Sequence, residues 1–362
     1  VTNIIGLYVK EKRPIMEKTD TRALLEKLSS PLFHASGVVA GKTLLSLRQY
    51  PSVHARYVDD CLKTLIRVPG LARMEDLDSQ TFLLCALSTW RDEPDDPPAA
   101  DGALPSGLIA PFARRHYYAE AVSRLRTVVG ELAKTTGING KQCRIFSNSR
   151  LPEKFLAWAA GLGFPGKNTL LVSPSLGSRF VIAGVVFPFM PEAQSTPTHQ
   201  PMASGCGTCT ACMDACPVDA LSDAGIDTNR CIQALAARPV ILPEKVKRAF
   251  RFMLYGCSIC QDVCPRNLGL SCVTRTRRGE LGSGMPLDRV LGSSPEEYRA
   301  MLRGSAPGVS FIPREAIVRN ALIAAGNRKD PRLLPLVLPW RSHPDAFVSD
   351  AADWAAIILE GK

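Results

Sequence analysis

Apolar and polar residues fall along the chain in blocks whose spacing switches between strand-like and helix-like. "TFLLCALSTW" (81–90) is a nearly unbroken apolar run that reads as a buried strand, and "RDEPDDPPAADGALPSG" (91–107) is an exposed loop of turn formers and acids. Between His116 and Lys134, the residues Tyr118, Ala121, Val122, Leu125, Val129 and Leu132 recur at three- and four-residue steps, one stripe of an amphipathic helix. "QCRIFS" (142–147) predicts a second strand. "PEKFLAWAAGLG" (152–163) predicts a helix with Pro in its first turn and Gly at its end, and "NTLLVS" and "RFVIAGVVF" predict two further strands. This alternation gives a mixed α/β domain over residues 76–190, preceded by a mostly helical segment at 1–75. "MPEAQSTPTHQPMASG" (190–205) is a linker by composition, and a cysteine-rich segment occupies 191–275 with it. Short helices separated by turns fill 276–362. They are too few for a free-standing solenoid and are expected to pack on the rest of an α+β protein.

Composition narrows the class. The chain has 362 residues, enough for a sizeable core, and its 46% hydrophobic content is ordinary for a globular protein. Its longest apolar run, "FVIAGVVF", falls far short of the roughly 20 residues of a membrane helix. The first twenty residues lack the order of a secretory signal, so the expected location is cytoplasmic, with no membrane partner. In that compartment the twelve cysteines read as metal ligands rather than disulfides. The net charge of +10 invites a nucleic-acid partner, with basic residues gathered between Lys245 and Arg278. The plainer reading of that run is a solvated face around an electron-rich metal site.

The cysteines carry the chemistry. Cys206-x2-Cys209-x2-Cys212-x3-Cys216-Pro217 has the bacterial ferredoxin spacing for a 4Fe–4S cluster, in which three close thiolates wrap one corner of a cubane and the proline-adjacent fourth serves another cluster. Zinc usually takes two separated pairs, often with histidines, and no His lies in this segment. A second run, Cys257-x2-Cys260-x3-Cys264-Pro265, follows. If the proline-adjacent cysteines exchange, one cluster takes Cys206, Cys209, Cys212 and Cys264. The other takes Cys257, Cys260, Cys216 and one more thiol. Cys231 and Cys272 are the candidates, and Cys231 is favoured because it begins a helix between the runs. Cys61, Cys85 and Cys143 sit in apolar surroundings and read as core residues. A plain ferredoxin would need only this middle segment, so the clusters serve something larger.

"AGLGFPGKNTLLVSPSLGSRFVIAGVV" (160–186), the two cysteine runs with Cys231 between them, "YGCSICQDVCPRN" (255–267) and "VRNALIAAGN" (318–327) together resemble the epoxyqueuosine reductase family. The resemblance runs from about residue 80 to 330. It implies two 4Fe–4S clusters and cobalamin, used to remove the epoxide oxygen from epoxyqueuosine in tRNA. It further implies an α/β cobalamin-binding domain, a ferredoxin-like double-cluster domain and C-terminal HEAT-like helices that help hold tRNA. Cys231 becomes the eighth cluster ligand, and Gly166, Lys167, Asn168 and Ser178 become cobalamin contacts. Without the family, "GLGFPGKN" is simply a helix end and a turn. An external low-potential donor of flavodoxin or ferredoxin type is implied, and the chain is expected to be monomeric.

The family's proton donor is an aspartate in a "D-[ST]-A-P" stretch, and counting back from Gly161 places Ser147 there, with no Asp nearby. Serine is far too weak an acid to replace a carboxylic acid directly. The family's "D-Y-H" reads His116-Tyr117-Tyr118 here, which makes Tyr117 a candidate donor beside Ser147, with Tyr118 and His116 as alternatives. Ordinary packing on a helix face is the plain reading of these aromatics. Three functions follow: epoxyqueuosine reductase itself, a paralogous cobalamin/4Fe–4S reductase for another small molecule (reductive dehalogenation is one such reaction), or an electron-transfer or corrinoid-reducing protein.

Overall fold

In the computed structural model the described residues are 21–47, 55–67, 77–90, 102–188, 205–270, 281–309 and 312–361. Their strands are β1 (Ala35–Ala40), β2 (Thr81–Ser88), β3 (Ser106–Ile109), β4 (Arg144–Ser147), β5 (Phe164–Pro165), β6 (Leu171–Val172), β7 (Phe180–Phe187), β8 (Leu221–Ser222), β9 (Gly225–Ile226), β10 (Met253–Tyr255) and β11 (Gly284–Pro286). The main sheet has the order β1-β2-β7-β4, every neighbouring pair antiparallel.

The two central strands explain why their sequences are apolar at every position: both faces of the sheet are covered. Phe82, Leu84, Ile182 and Val186 face a core closed by Phe155, Leu156 and Trp158 of the helix Glu153–Ala159 and by Leu44, Leu62 and Leu65 near the N-terminus. The alternate residues Leu83, Cys85, Val181 and Val185 face Ala121, Leu125 and Leu132 of the helix Tyr117–Thr136 and Leu25 of the helix Thr21–Ser29. Side chains along a strand point alternately to its two faces, so one uniform apolar run feeds two cores.

The described part of the segment 1–75 joins the main sheet. Its helices Thr21–Ser29, Gly41–Ser46 and Ala55–Arg67 are present, but β1 pairs with β2 from Ala35↔Ala86 to Ala40↔Thr81, and the flanking helices cover both faces of the main sheet. The boundaries at 190 and 275 are likewise crossed. β3 from the first half pairs with β10 of the cysteine-rich segment and with β11 beyond it, in a three-stranded sheet. A single core runs from Ile109 through Leu254 to Leu359. Pairings between strands that far apart in sequence leave no local signature.

The C-terminal helices do pack on the rest. Arg319 and Asn320 of the helix Arg314–Arg328 are both buried. The Arg319 guanidinium donates to the carbonyls of Arg238 (2.7 Å), Val240 (2.9 Å) and Leu235 (2.8 Å). Asn320 donates to those of Ala236 (2.9 Å) and Leu254 (2.8 Å). The helix thus ties down the loop that follows Cys231.

His34 joins the start of β1 to β2. Its Nδ1 accepts from the Ser88 amide at 3.0 Å, which requires that nitrogen to be unprotonated. Burial, and then the Arg124 cation, hold its pKa below the usual 6.5, with Glu120 acting weakly the other way. The unfolded chain therefore takes up this proton first as pH falls. The stability is complete above about pH 6.5 and declines below it until the folded-state pKa is reached. Urea unfolding midpoints compared at pH 7.5 and 5.5 should drop in the wild type, and the drop should shrink in His34→Asn. An equal drop in both would remove His34 as the cause.

Candidate functional site

The two cysteine runs fold alike. Each passes through a short helical turn, Ala211–Asp214 and Ile259–Asp262, just before its last cysteine. A hydroxyl bonded to the aspartate four residues on braces each turn: Thr210 to Asp214 at 2.7 Å, Ser258 to Asp262 at 3.0 Å.

The thiols sort into two sets. Burial pushes the Cys212 pKa up, and the neighbouring thiols of Cys206, Cys264 and Cys209 add to it. Cys257 is raised to about 11 by burial, with Cys231 and Cys216 beside it. Cys260 is raised to about 12 by burial and then by Cys257, Cys212, Cys231 and Cys216. The structure therefore places Cys264 with the first run, and Cys216 and Cys231 with the second. Cys212 and Cys260 bring the sets together. Cys272 lies outside the described residues.

Among the described residues, no three His, Cys, Asp or Glu side chains converge tightly enough to hold one metal ion. Each set brings four thiols into one neighbourhood, the number a 4Fe–4S cluster takes. The surroundings suit thiolates: the Ala220 amide donates to Cys216 Sγ at 3.3 Å, and the Cys257 amide is fixed by Gln233 Oε1 at 3.2 Å. Thiols held this far up ionise when iron takes the place of the proton. Cys209 is exposed, whereas Cys257 and Cys260 are more enclosed. Cys61 and Cys85 are buried among apolar side chains, and Cys143 packs at the edge of the same region.

A cavity of about 290 Å³ opens beside the second set, and Cys216, Cys231, Cys257 and Cys260 all line it. It is lined as well by Asn168, Thr169, Leu170 and Ser178, with Phe112, Tyr118 and Phe180 completing an apolar surround. Of the residues expected to contact a corrinoid, Asn168 and Ser178 reach its wall, while Gly166 and Lys167 do not. Gly166 shapes the turn between β5 and β6: its amide donates to the Leu170 carbonyl at 2.8 Å, and a Cβ there would lie 2.8 Å from Asn168 Oδ1. Ser178 is locked to the second cysteine run. Its amide donates to Asn267 Oδ1 (2.7 Å), its hydroxyl accepts from Asn267 Nδ2 (3.0 Å), and its carbonyl accepts from Gln261 Nε2 (2.7 Å). Gly177 makes this approach feasible, since φ is +60° and a Cβ would sit 1.9 Å from Asn267 Oδ1.

The candidate proton donors fare differently. Ser147 is at the end of β4 and spends its hydroxyl on the Ile182 carbonyl at 2.9 Å, away from the cavity wall. Tyr117 is buried in the core beneath the sheet, and Tyr118, which the periodicity assigns to the buried stripe, lines the cavity instead. The stripe runs through 117, 121, 125, 128 and 132, and one residue further along a helix is turned by about 100°. His116 is the N-cap, its Nδ1 accepting from the Ala119 amide at 3.3 Å. Glu153 went unnoticed in the sequence because it reads as a helix-start acid. It accepts from the amides of Asn148 (3.1 Å) and Ser149 (2.7 Å), which ties the start of its helix to the loop after β4.

The basic run is largely committed to partners. Lys247 is buried against Asp350 at 2.6 Å, Arg248 pairs with Glu244, and Lys245 with Asp219. Arg275, Arg277 and Arg278 lie outside the described residues.

Fold and thiols together define an iron–sulfur protein with two cluster-binding sets set against a covered antiparallel sheet, and residues 205–267 match the 4Fe-4S double cluster binding domain. The chain is similar to epoxyqueuosine reductases. It is 34% identical to that of Lactococcus garvieae over 214 residues, 57% of this chain and 58% of that one. It is 32% identical to that of Bacillus subtilis over 212 residues, 57% and 52% of the two chains. The chain thus matches a little over half the length of these relatives. The fold is shared almost throughout: the Streptococcus thermophilus epoxyqueuosine reductase superposes with a TM-score of 0.75 at 19% identity, covering 95% of this chain and 91% of that one. An epoxyqueuosine reductase solved with an epoxyqueuosine-modified tRNA-Tyr stem loop superposes with a TM-score of 0.72 at 22% identity, covering 94% and 90%. No helix among the described residues is long and apolar enough to cross a membrane.

Proposed function

We propose that this chain is a cobalamin-dependent, double-cluster reductase that removes the epoxide oxygen from epoxyqueuosine in tRNA. The observation that carries the reading is the cavity shared by the four thiols of the second set and by Asn168 and Ser178. A group that takes electrons one at a time from a cluster has to lie against it, and this cavity offers that position. Its apolar surround and neutral polar wall suit the edge of a corrin ring. Asn168, Thr169 and Ser178 would hold cobalamin there, and the bound cobalt would supply a strongly reducing centre. The first cluster would sit on Cys206, Cys209, Cys212 and Cys264, and the second on Cys216, Cys231, Cys257 and Cys260. Exposed Cys209 makes the first set the side on which an external low-potential flavodoxin or ferredoxin would deliver electrons. The likeness to the stem-loop complex supports tRNA as substrate, and we place the monomeric protein in the cytoplasm.

A second reading, a paralogue acting on another small molecule, has one observation in its favour. Ser147 stands at the family aspartate's place with its hydroxyl committed to β7. One experiment ranks the readings. Anaerobically reconstituted protein is given cob(II)alamin and followed by electron paramagnetic resonance, then supplied with reductant and epoxyqueuosine-tRNA, with nucleosides read by mass spectrometry. A base-off corrinoid signal followed by queuosine is the expected result. The same signal without queuosine would favour the paralogue. An unchanged free-cobalamin signal would leave only an electron carrier.

A further inference from the structure

One charged contact distinguishes the two cysteine runs. In each, the aspartate that closes the helical turn accepts from a hydroxyl four residues earlier: Asp214 from Thr210 at 2.7 Å, Asp262 from Ser258 at 3.0 Å. Each carboxylate is thereby held within its run, two residues from a cysteine on either side. Asp214 has no cationic partner among the described residues. Asp262 has one, an ion pair with Arg179, whose side chain is only 12% exposed.

The arginine is fixed from several sides. Its guanidinium lies over the Trp90 ring, 4.1 Å from the centroid, a placement that favours a cation. Its carbonyl accepts from the Thr89 amide at 2.9 Å. Ser178, the residue before it, is tied to Gln261 and Asn267, which flank Asp262 in sequence. Arg179 does not line the cavity, so what it does for the reaction it does through Asp262.

A cluster on four thiolates becomes more negative when it is reduced. A nearby carboxylate makes that step harder, a nearby cation makes it easier, and buried charges are screened least. Enclosure opposes the added charge as well. Cys209 of the first set is exposed while Cys257 and Cys260 are partly covered, so enclosure alone would make the second cluster the harder to reduce. Electrons would then stall on the first. The ion pair works in the opposite sense.

We propose that Arg179 is a positioning residue for electron transfer, cancelling the Asp262 carboxylate beside the second set while Asp214 stays uncompensated beside the first. The direction of flow, from the exposed set toward the cavity, follows from that difference. The inference rests on the reading above, in which both sets hold clusters. In the step concerned, one electron leaves the reduced first cluster, which is oxidised, and enters the oxidised second, which is reduced. No bond breaks and no proton moves, and the external low-potential carrier reduces the first cluster again.

The test is an anaerobic redox titration of protein reconstituted with both clusters, followed by electron paramagnetic resonance without substrate. Cys231→Ala assigns the signals by removing one of them. In the wild type the second cluster should titrate at the higher midpoint potential. Arg179→Gln should lower that midpoint, Asp262→Asn should raise it, and the double variant should return close to the wild type, with the first cluster unmoved throughout. Asp214→Asn should raise the first cluster alone. Arg179→Lys, which keeps the charge, should hold the second midpoint near the wild-type value, where a merely structural role would make it fail as Gln does. A higher midpoint for the first cluster in the wild type would overturn the proposal. So would an unmoved second midpoint in Arg179→Gln, or shifts of the same sign in Arg179→Gln and Asp262→Asn. Should Arg179→Gln lose iron, Asp262→Asn and Arg179→Lys decide alone. A wild type holding only one cluster would overturn both this proposal and its parent. Failure to form queuosine would sink the parent reading and leave the potentials to decide this one.

Discussion

Cys231→Ala is expected to halve the iron bound per chain and to abolish the resonance of one cluster while leaving the other intact. Four thiols approach one another in the second set, and three of them, Cys216, Cys257 and Cys260, cannot complete a cubane alone. Cys231 enters from a different stretch of chain, at the N-cap of the short helix Ile232–Leu235. The loss should leave the fold largely in place, because its neighbours Ile232 and Leu235 keep their seats in the core. Corrinoid reduction should fall by more than the 10–100-fold that removal of an outer-shell partner typically costs. Cys272→Ala is the matched comparison, since sequence spacing alone leaves that residue as the other candidate. Iron analysis and electron paramagnetic resonance of both variants decide between them. Full iron in Cys231→Ala with half in Cys272→Ala would reverse the assignment.

What the sequence reveals about this site depends on how local each feature is. The spacing of Cys206, Cys209 and Cys212 is a property of one turn of chain, and the prolines after Cys216 and Cys264 mark the two residues that the structure places with the opposite run. The apolar runs of β2 and β7 are legible for the same reason, since burial on both faces leaves no polar position. β1 is not: "ASGVVA" is short and rich in small residues, and it becomes a strand only because β2 offers it an edge. The placement of Tyr118 over Tyr117 turned on a rotation of one residue about a helix axis, which a loose three- and four-residue stripe does not fix.

"VRNALIAAGN" signals the family in the sequence, yet its physical task appears only in three dimensions, and it yields the largest stability effect expected here. Arg319 is a buried cation with carbonyl oxygens and the Asn320 amide oxygen around it rather than a carboxylate, and burial pulls its pKa down to about 10, so it remains charged at neutral pH. Arg319→Ala strands the carbonyls of Leu235, Arg238 and Val240 at about 1–3 kcal/mol each and opens a cavity beside Phe250, so a destabilisation of at least about 3 kcal/mol is expected. Arg319→Lys should recover only part of it, because one ammonium cannot span three carbonyls that a planar fork reaches together. The same loop leads back to Cys231, so the variant should also release iron to a chelator faster than the wild type. Urea unfolding followed in parallel by far-ultraviolet circular dichroism and by cluster absorbance measures both effects. A loss below about 1 kcal/mol, the net worth of a single ordinary hydrogen bond, would mean that water replaces the guanidinium and that the helix Arg314–Arg328 is not what holds the loop beside the second set of thiols.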